Sequence, residues 1–173
     1  YVGRLERIQK RPIILLKSFN LISQKIPAWN LVFVGDGQEY AKLVSYIKKH
    51  NLVERVKIIN PTLDLATYYK NSSVLVIPSL WEGFPNVVGE AISFGLACIG
   101  FEESIGVKSL LKNNRGWLVK KSDPKSKYLA KTLLKCINNK DERIRRSKMA
   151  FEKIKENEPD KILQFWIKLI NDI

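Results

Sequence analysis

The run Ser73-Val74-Leu75-Val76-Ile77-Pro78 constrains the fold of this chain more than any other feature. It leads into Ser79-Leu80-Trp81-Glu82-Gly83-Phe84-Pro85-Asn86, and a helical pattern follows from Val87 to Phe94. An apolar run, then a Gly/Pro/Asn cluster, then a 3.6-residue period reads as a buried strand, a tight loop and a helix.

The same unit recurs along the chain. Strand-like segments fall at Tyr1–Leu5, Asn30–Val34, Val56–Ile59, Val74–Pro78, Ala97–Gly100 and Gly116–Val119. Helical patterns lie between most of them, for example Leu15, Phe19 and Ile22, or Leu43, Tyr46 and Ile47. The alternation predicts an α/β fold with a Rossmann-like parallel sheet of about six strands, flanked by helices on both faces. Ligands of such sheets bind beyond the carboxyl ends of the strands. The loops on that edge are Gly3-Arg4-Leu5 onward, Gly35-Asp36-Gly37, Asn60-Pro61-Thr62 and Ser79 to Asn86.

Beyond Ser122-Asp123-Pro124 the pattern is wholly helical, with predicted helices Lys125–Asn138, Asp141–Asn157 and Asp160–Ile173. Residues 1–124 therefore read as an α/β core and 125–173 as a helical carboxyl-terminal extension. The last helix carries an apolar stripe of Ile162, Phe165, Trp166, Leu169, Ile170 and Ile173. Because Tyr1-Val2 is already strand-like, a further domain is expected ahead of it.

With 173 residues, 45% of them hydrophobic, the chain suffices for one domain with a real core. Its longest uncharged runs, Asn71 to Trp81 and Ala91 to Phe101, are too short to cross a bilayer, and no signal peptide opens it. A soluble protein is expected. Cys98 and Cys136 have no paired spacing, so neither a disulfide framework nor a zinc site is indicated, and a reducing cytoplasm is the simpler setting. Residues 1–107 carry 12 basic and 9 acidic side chains, and residues 108–173 carry 18 and 8, so the net charge of +13 is concentrated in the last third. That asymmetry suits solvated helices first and an anionic membrane surface second. Nucleic acid is disfavoured, since no zinc-finger spacing or RNP-like motif accompanies the charge.

Glu82 and Glu90 stand eight positions apart around the glycine-containing bend. The reading puts Glu82 at a strand's carboxyl end and Glu90 in the first turn of a helix. The N–H groups that open that helix lack intrahelical partners and carry the positive end of its dipole, which suits phosphate. Gly83 lets the chain turn close to a ligand, and Asn86 is the expected N-cap. Carboxylates accept hydrogen bonds, as sugar hydroxyls require. The bend therefore reads as a site for a phosphorylated sugar.

Three passages occur in order: Gly3-Arg4-Leu5 through Lys10-Arg11-Pro12, Val34-Gly35-Asp36-Gly37, and Pro78-Ser79-Leu80-Trp81-Glu82-Gly83-Phe84-Pro85-Asn86-Val87-Val88-Gly89-Glu90-Ala91. Together they resemble the carboxyl-terminal half of retaining glycosyltransferases of family 4, the glycosyl transferases group 1 domain of GT-B enzymes, over about Tyr1 to Val119. The resemblance implies a hexosyltransferase using a nucleoside-diphosphate sugar, UDP-linked first among the options, in surface polysaccharide or lipid-linked glycan synthesis. It gives Arg4 and Lys10 to the diphosphate, Glu82 to the donor sugar and Glu90 to the ribose. Backbone groups of Gly83, Phe84, Pro85, Asn86, Val87 and Val88 then face sugar and phosphate, Gly35 lies near the nucleotide, and Ile59-Asn60 borders the base. It implies no cofactor. Fixed cations can stabilise a departing diphosphate without a metal, and no Asp-x-Asp motif is present. The partners implied are the donor and an absent amino-terminal acceptor domain, in the cytoplasm or at the inner face of the membrane, with peripheral contact to anionic lipid.

Two departures stand out. Lys10 lies six residues beyond Arg4 where the family usually has five, with Gln9 at the fifth. Asn60-Pro61 replaces the family's common glycine beside the base. A glycosidase pair of carboxylates is argued against by the Arg4/Lys10 edge. A noncatalytic nucleotide-binding module, or a sugar-nucleotide epimerase of the same architecture, stays open. His50, ending a Lys48-Lys49 helix, receives no catalytic role, and Arg11 and Glu102-Glu103 read as surface charges.

Overall fold

A computed structural model describes residues 1–120, residues 125–155, and residues 163, 164, 167 and 170. The elements run α1 (Pro12–Ile22), β1 (Leu31–Val34), α2 (Tyr40–Lys49), β2 (Val56–Ile59), α3 (Leu65–Lys70) and β3 (Val74–Ile77). They continue with α4 (Asn86–Ser93), β4 (Ala97–Phe101), α5 (Ile105–Leu111), β5 (Trp117–Val119), α6 (Lys125–Ile137) and α7 (Lys140–Ile154). The expected stripe on the last helix falls largely outside the described residues.

All paired strands are parallel, as the alternation with helices requires. Period-2 geometry sends alternate side chains to opposite faces. Val76, Ala97, Ile99, Phe101, Trp117 and Val119 therefore join α1 and α6 in one core, which also takes Phe33, Leu43 and Val56. Leu75, Ile77 and Cys98 join Val88, Val107 and Ala150 of α4, α5 and α7 in the other. Thus α6 and α7 cover opposite faces. β4 is buried along its whole length, and burial pushes the Cys136 thiol up to about 12 and the Cys98 thiol up as well.

Among the described residues there are five strands, not about six, and they form two sheets: β1-β2, and β3-β4-β5. Tyr1–Leu5 contributes only the isolated parallel bridge Val2–Val34. The cause is local. Gly3 N–H donates to Val34 O, the chain turns at Gly3 (φ 145°), and Leu5 N–H then donates to Asp36 O at 2.5 Å. The segment leaves the sheet before a ladder can form. It docks instead on the Gly35-Asp36-Gly37 turn, with Glu39 N–H donating to Leu5 O at 2.9 Å.

Gly35 has φ 147°, and a Cβ there would lie 2.0 Å from Gly3 O. The glycine is thus first required by this backbone contact rather than by a ligand. Gly83 differs: its φ is not positive, and a Cβ would meet nothing within 4 Å. Gly35→Ala should destabilise the fold by roughly 2–4 kcal/mol in urea unfolding, and Gly83→Ala should stay within about 0.5 kcal/mol of the parent.

Candidate functional site

The site is built where two loops meet at the carboxyl ends of the strands. One is the first loop, Gly3 to Arg11; the other is the bend from Pro78 to Pro85 between β3 and α4. Glu6 organises the first loop: its carboxylate accepts from the N–H groups of Ile8, Gln9 and Lys10 at 2.6, 2.7 and 3.3 Å. Those bonds, Ile8 first, hold its carboxyl below the usual range. They turn the Gln9 and Lys10 side chains toward the bend.

Three contacts of Lys10 and Gln9 tie the two loops, and a fourth bond inside the first loop brings in Arg4. Lys10 Nζ lies 2.6 Å from Glu82 Oε1, with both side chains mostly shielded. Gln9 Nε2 donates to Trp81 O at 3.1 Å, and Leu80 N–H donates to Gln9 O at 2.7 Å. Arg4 Nη2 donates to Gln9 Oε1 at 3.4 Å. Gln9, which looked like a displaced lysine position, therefore bridges Arg4 to the bend. Arg4 is exposed, so its guanidinium is open to an anion arriving beside Lys10 and Glu82.

Beneath these groups lies a shielded charge cluster that sequence reasoning placed on the surface. Arg11 is only 7% exposed. Its Nε donates to Pro78 O at 2.8 Å, its Nη1 lies 2.7 Å from Glu103 Oε1, and its guanidinium stands 5.1 Å from the Phe101 ring centroid. Glu103 Oε1 also lies 2.6 Å from Lys125 Nζ. Arg11 adopts a left-handed conformation (φ 49°, ψ 45°) ahead of Pro12, at a cost of about 1–2 kcal/mol that its anchored side chain offsets. Burial would raise the Glu103 pKa, but hydrogen bonds and charge from Lys125 and Arg11 outweigh it and hold the carboxyl below 4.5.

The far side of the bend is closed by α5. Gly106 N–H donates to Glu82 O at 3.1 Å, and a Cβ on Gly106 would lie 1.9 Å from Gly83 O. No local signal marks that glycine, because its neighbour is distant in sequence.

Two expectations for α4 are corrected. Pro85, extended at φ −79° and ψ 91°, is the N-cap, and Asn86 is the first helical residue with no side-chain cap. Glu90 therefore falls in the second turn. Val88 N–H is taken by Pro85 O at 2.9 Å, leaving the Asn86 and Val87 N–H groups to open the helix toward the bend. Trp81, Gly83, Phe84 and Asn86 are exposed along the bend, and Pro85 and Val88 are buried.

Glu90 is exposed, and its Oε2 accepts from the Tyr69 hydroxyl at 2.9 Å. It does not join the Lys10–Glu82 contacts, and lies along the α3 side of α4. Ile59 O accepts from Gly35 N–H at 2.9 Å, so that carbonyl is engaged by the turn, while Asn60 is exposed just beyond it. His50 caps α2 against the Tyr46 ring at 4.1 Å, away from these groups. A cavity of about 430 Å³ opens among Tyr1, Trp29, Asn30, Ser73 and Val74, on the amino-terminal side of the strands and remote from Glu82. Among the described residues no three His, Cys, Asp or Glu side chains could hold a metal, and no helix is long and apolar enough to cross a membrane.

A parallel α/β frame whose carboxyl edge gathers cations, carboxylates and a glycine bend defines a Rossmann-like domain that takes its ligand at that edge. Residues 1–153 match the glycosyl transferases group 1 family, and the chain belongs to it. It is 33% identical over 153 residues to an uncharacterized glycosyltransferase of Haemophilus influenzae, covering 88% of this chain and 43% of the relative. It is 32% identical over 144 residues to the amylovoran biosynthesis glycosyltransferase AmsD of Erwinia amylovora, covering 83% and 40%. The chain thus spans less than half the length of these relatives. Among solved structures, the pneumococcal O-GlcNAc transferase GtfA in complex with UDP and GlcNAc superposes with a TM-score of 0.85 at 22% identity, over 99% of this chain and 34% of that one. The carboxyl-terminal domain of a glycosyl transferase group 1 family protein, LpcC, from Francisella tularensis gives 0.78 at 18% identity, over 91% and 83%. These likenesses show the half-GT-B fold.

The lowered Glu103 pKa sets a pH dependence. Its stabilisation is complete above pH 4.5 and is lost as pH falls through the folded-state value. Glu103→Gln, which leaves Arg11 and Lys125 without their counter-charge, should cost about 2–4 kcal/mol at pH 7 by urea unfolding, with the gap closing toward pH 3.

Proposed function

We propose that this chain is the donor-binding half of a retaining hexosyltransferase that moves a sugar from a nucleoside diphosphate, UDP in the first instance, to an acceptor hydroxyl. The observation that carries the reading is the 2.6 Å Lys10–Glu82 pair, which spans 72 positions of sequence and joins the cationic loop to the acid-flanked bend. In the reaction, the bond from the anomeric carbon to the diphosphate oxygen breaks, a bond to the acceptor oxygen forms, and the acceptor's hydroxyl proton passes to the departing diphosphate oxygen. Negative charge builds on the departing diphosphate, where Arg4 and Lys10 stabilise it. Glu82 accepts from donor-sugar hydroxyls and fixes the ring. The N–H groups around Gly83, Phe84, Asn86 and Val87 add neutral donors at the same place, and Pro85 and Val88 hold that backbone. Glu90 takes the ribose, while Asn60, Ile59 and the Gly35 turn border the base. Side chains meet the diphosphate's charge, so the reading needs neither a metal nor a cofactor.

The named activity of the Erwinia relative supports a role in bacterial surface polysaccharide synthesis, and the GtfA complex supports UDP as the nucleotide. An amino-terminal domain would supply the acceptor side, so this half alone should bind donor and transfer poorly. The reading sets the enzyme in the cytoplasm at the inner membrane face, where the 18 basic residues beyond position 107 favour anionic lipid.

Calorimetric titration with UDP tests this. Arg4→Met should weaken binding roughly 10- to 100-fold, the range of a lost charge-assisted hydrogen bond. Unchanged affinity, or no UDP binding by the parent chain, would refute the assignment.

A further inference from the structure

Tyr69 sits near the end of α3 with its ring 3% exposed, packed 5.5 Å from the Phe94 ring among the apolar residues under α4. Phenylalanine would fill that space equally well. The hydroxyl has one use: it donates to Glu90 Oε2 at 2.9 Å. Glu90 is exposed, so its carboxylate does not need this bond to remain solvated. What the bond changes is the freedom of the Glu90 side chain, since an O–H to a carboxylate is short, directional and charge-assisted. Burial, and then the Glu90 hydrogen bond, pushes the Tyr69 pKa up, so the phenol stays a donor at any ordinary pH.

Both ends of the contact are fixed. α3 begins at Asp64, whose carboxylate accepts from Thr67 N–H at 3.2 Å, and it follows directly on the Asn60–Thr62 loop that borders the proposed base position. Glu90 rides on α4, where its neighbours Val88, Ala91 and Ile92 are buried. With Oε2 held, Oε1 and the remaining lone pairs have a set direction. A vicinal diol, which offers two adjacent O–H donors, is the group such a carboxylate best accepts.

We infer that Tyr69 is a positioning residue that orients Glu90 for the ribose diol of the bound nucleoside diphosphate, and thereby discriminates ribonucleotides from their deoxy analogues. This rests on the reading that Glu90 receives the ribose. Preorganising a flexible side chain in its binding conformation lowers the ordering cost of association. Tyr69 does not touch the reacting atoms, and its effect should be confined to ligands that carry the diol.

The test is calorimetric titration of the chain, Tyr69→Phe and Glu90→Gln with UDP and with 2′,3′-dideoxy-UDP. Tyr69→Phe should bind UDP about three- to tenfold more weakly and dideoxy-UDP as the parent does. Glu90→Gln should also lower UDP affinity toward that of dideoxy-UDP. Equal UDP affinity for Tyr69→Phe and the parent would overturn the inference, as would equal losses for both nucleotides, which would report packing alone. If Glu90→Gln erases the preference for UDP while Tyr69→Phe leaves it intact, only the role of Tyr69 fails. If neither variant alters that preference, the ribose assignment of Glu90 fails and the inference falls with it.

Discussion

The shielded ion cluster of Arg11, Glu103 and Lys125 joins the entrance of α1, the end of β4 and the first residue of α6. The same guanidinium grips the carbonyl of Pro78, where the donor bend begins. Removing the shared Glu103 carboxylate strands both cations in a place with little water, and the penalty for that exceeds what a solvent-exposed pair could contribute. The cluster is therefore less a source of net stability than a constraint on geometry. It allows one arrangement of the first loop against the bend, and Lys10, the neighbour of Arg11, meets Glu82 in that arrangement.

The layers above it follow a hierarchy of rigidity. Buried alternating strands set the carboxyl edge, Gly35 and Gly106 let backbones touch where a methyl group would not fit, and the ionic cluster fixes the loops. Of the groups proposed to meet ligand, Arg4 and Glu90 are exposed, while Glu82 is shielded against Lys10. Precise sites are built this way, with side chains near the ligand oriented by neighbours that never reach it.

Strands β1 to β5 could be read from aliphatic runs and Gly/Pro/Asn punctuation, within one or two residues at each end, whereas the short helices α3 and α5 carry too little periodicity to be read. The first strand could not. Tyr1–Leu5 has the right composition, but the Gly3 turn and the docking of Leu5 on Asp36 take it out of the sheet, and that depends on a loop more than 30 positions away. Asn86 looked like a cap by residue type, yet Pro85 already holds the extended conformation the cap position requires. In the candidate site, Arg4, Lys10 and the Glu82–Glu90 motif are legible in the sequence because their spacing is local. Arg11, Glu103, Tyr69 and Gly106 were passed over because what makes each important is a partner brought up by the tertiary fold. A charge read in isolation defaults to the surface, and only the packing of α6 over Phe101 reveals that Arg11 and Glu103 are shielded.

The pairing of Lys10 with Glu82 has a thermodynamic corollary. Each group is the other's placeholder, so a visitor that engages only one of them leaves its mate bereft. A bare anion draws off the ammonium and abandons the carboxylate; a neutral hydroxylic compound does the reverse. A molecule carrying both functions a bond apart compensates both halves at once, so on the proposed function the pair acts as a coincidence detector for the intact conjugate.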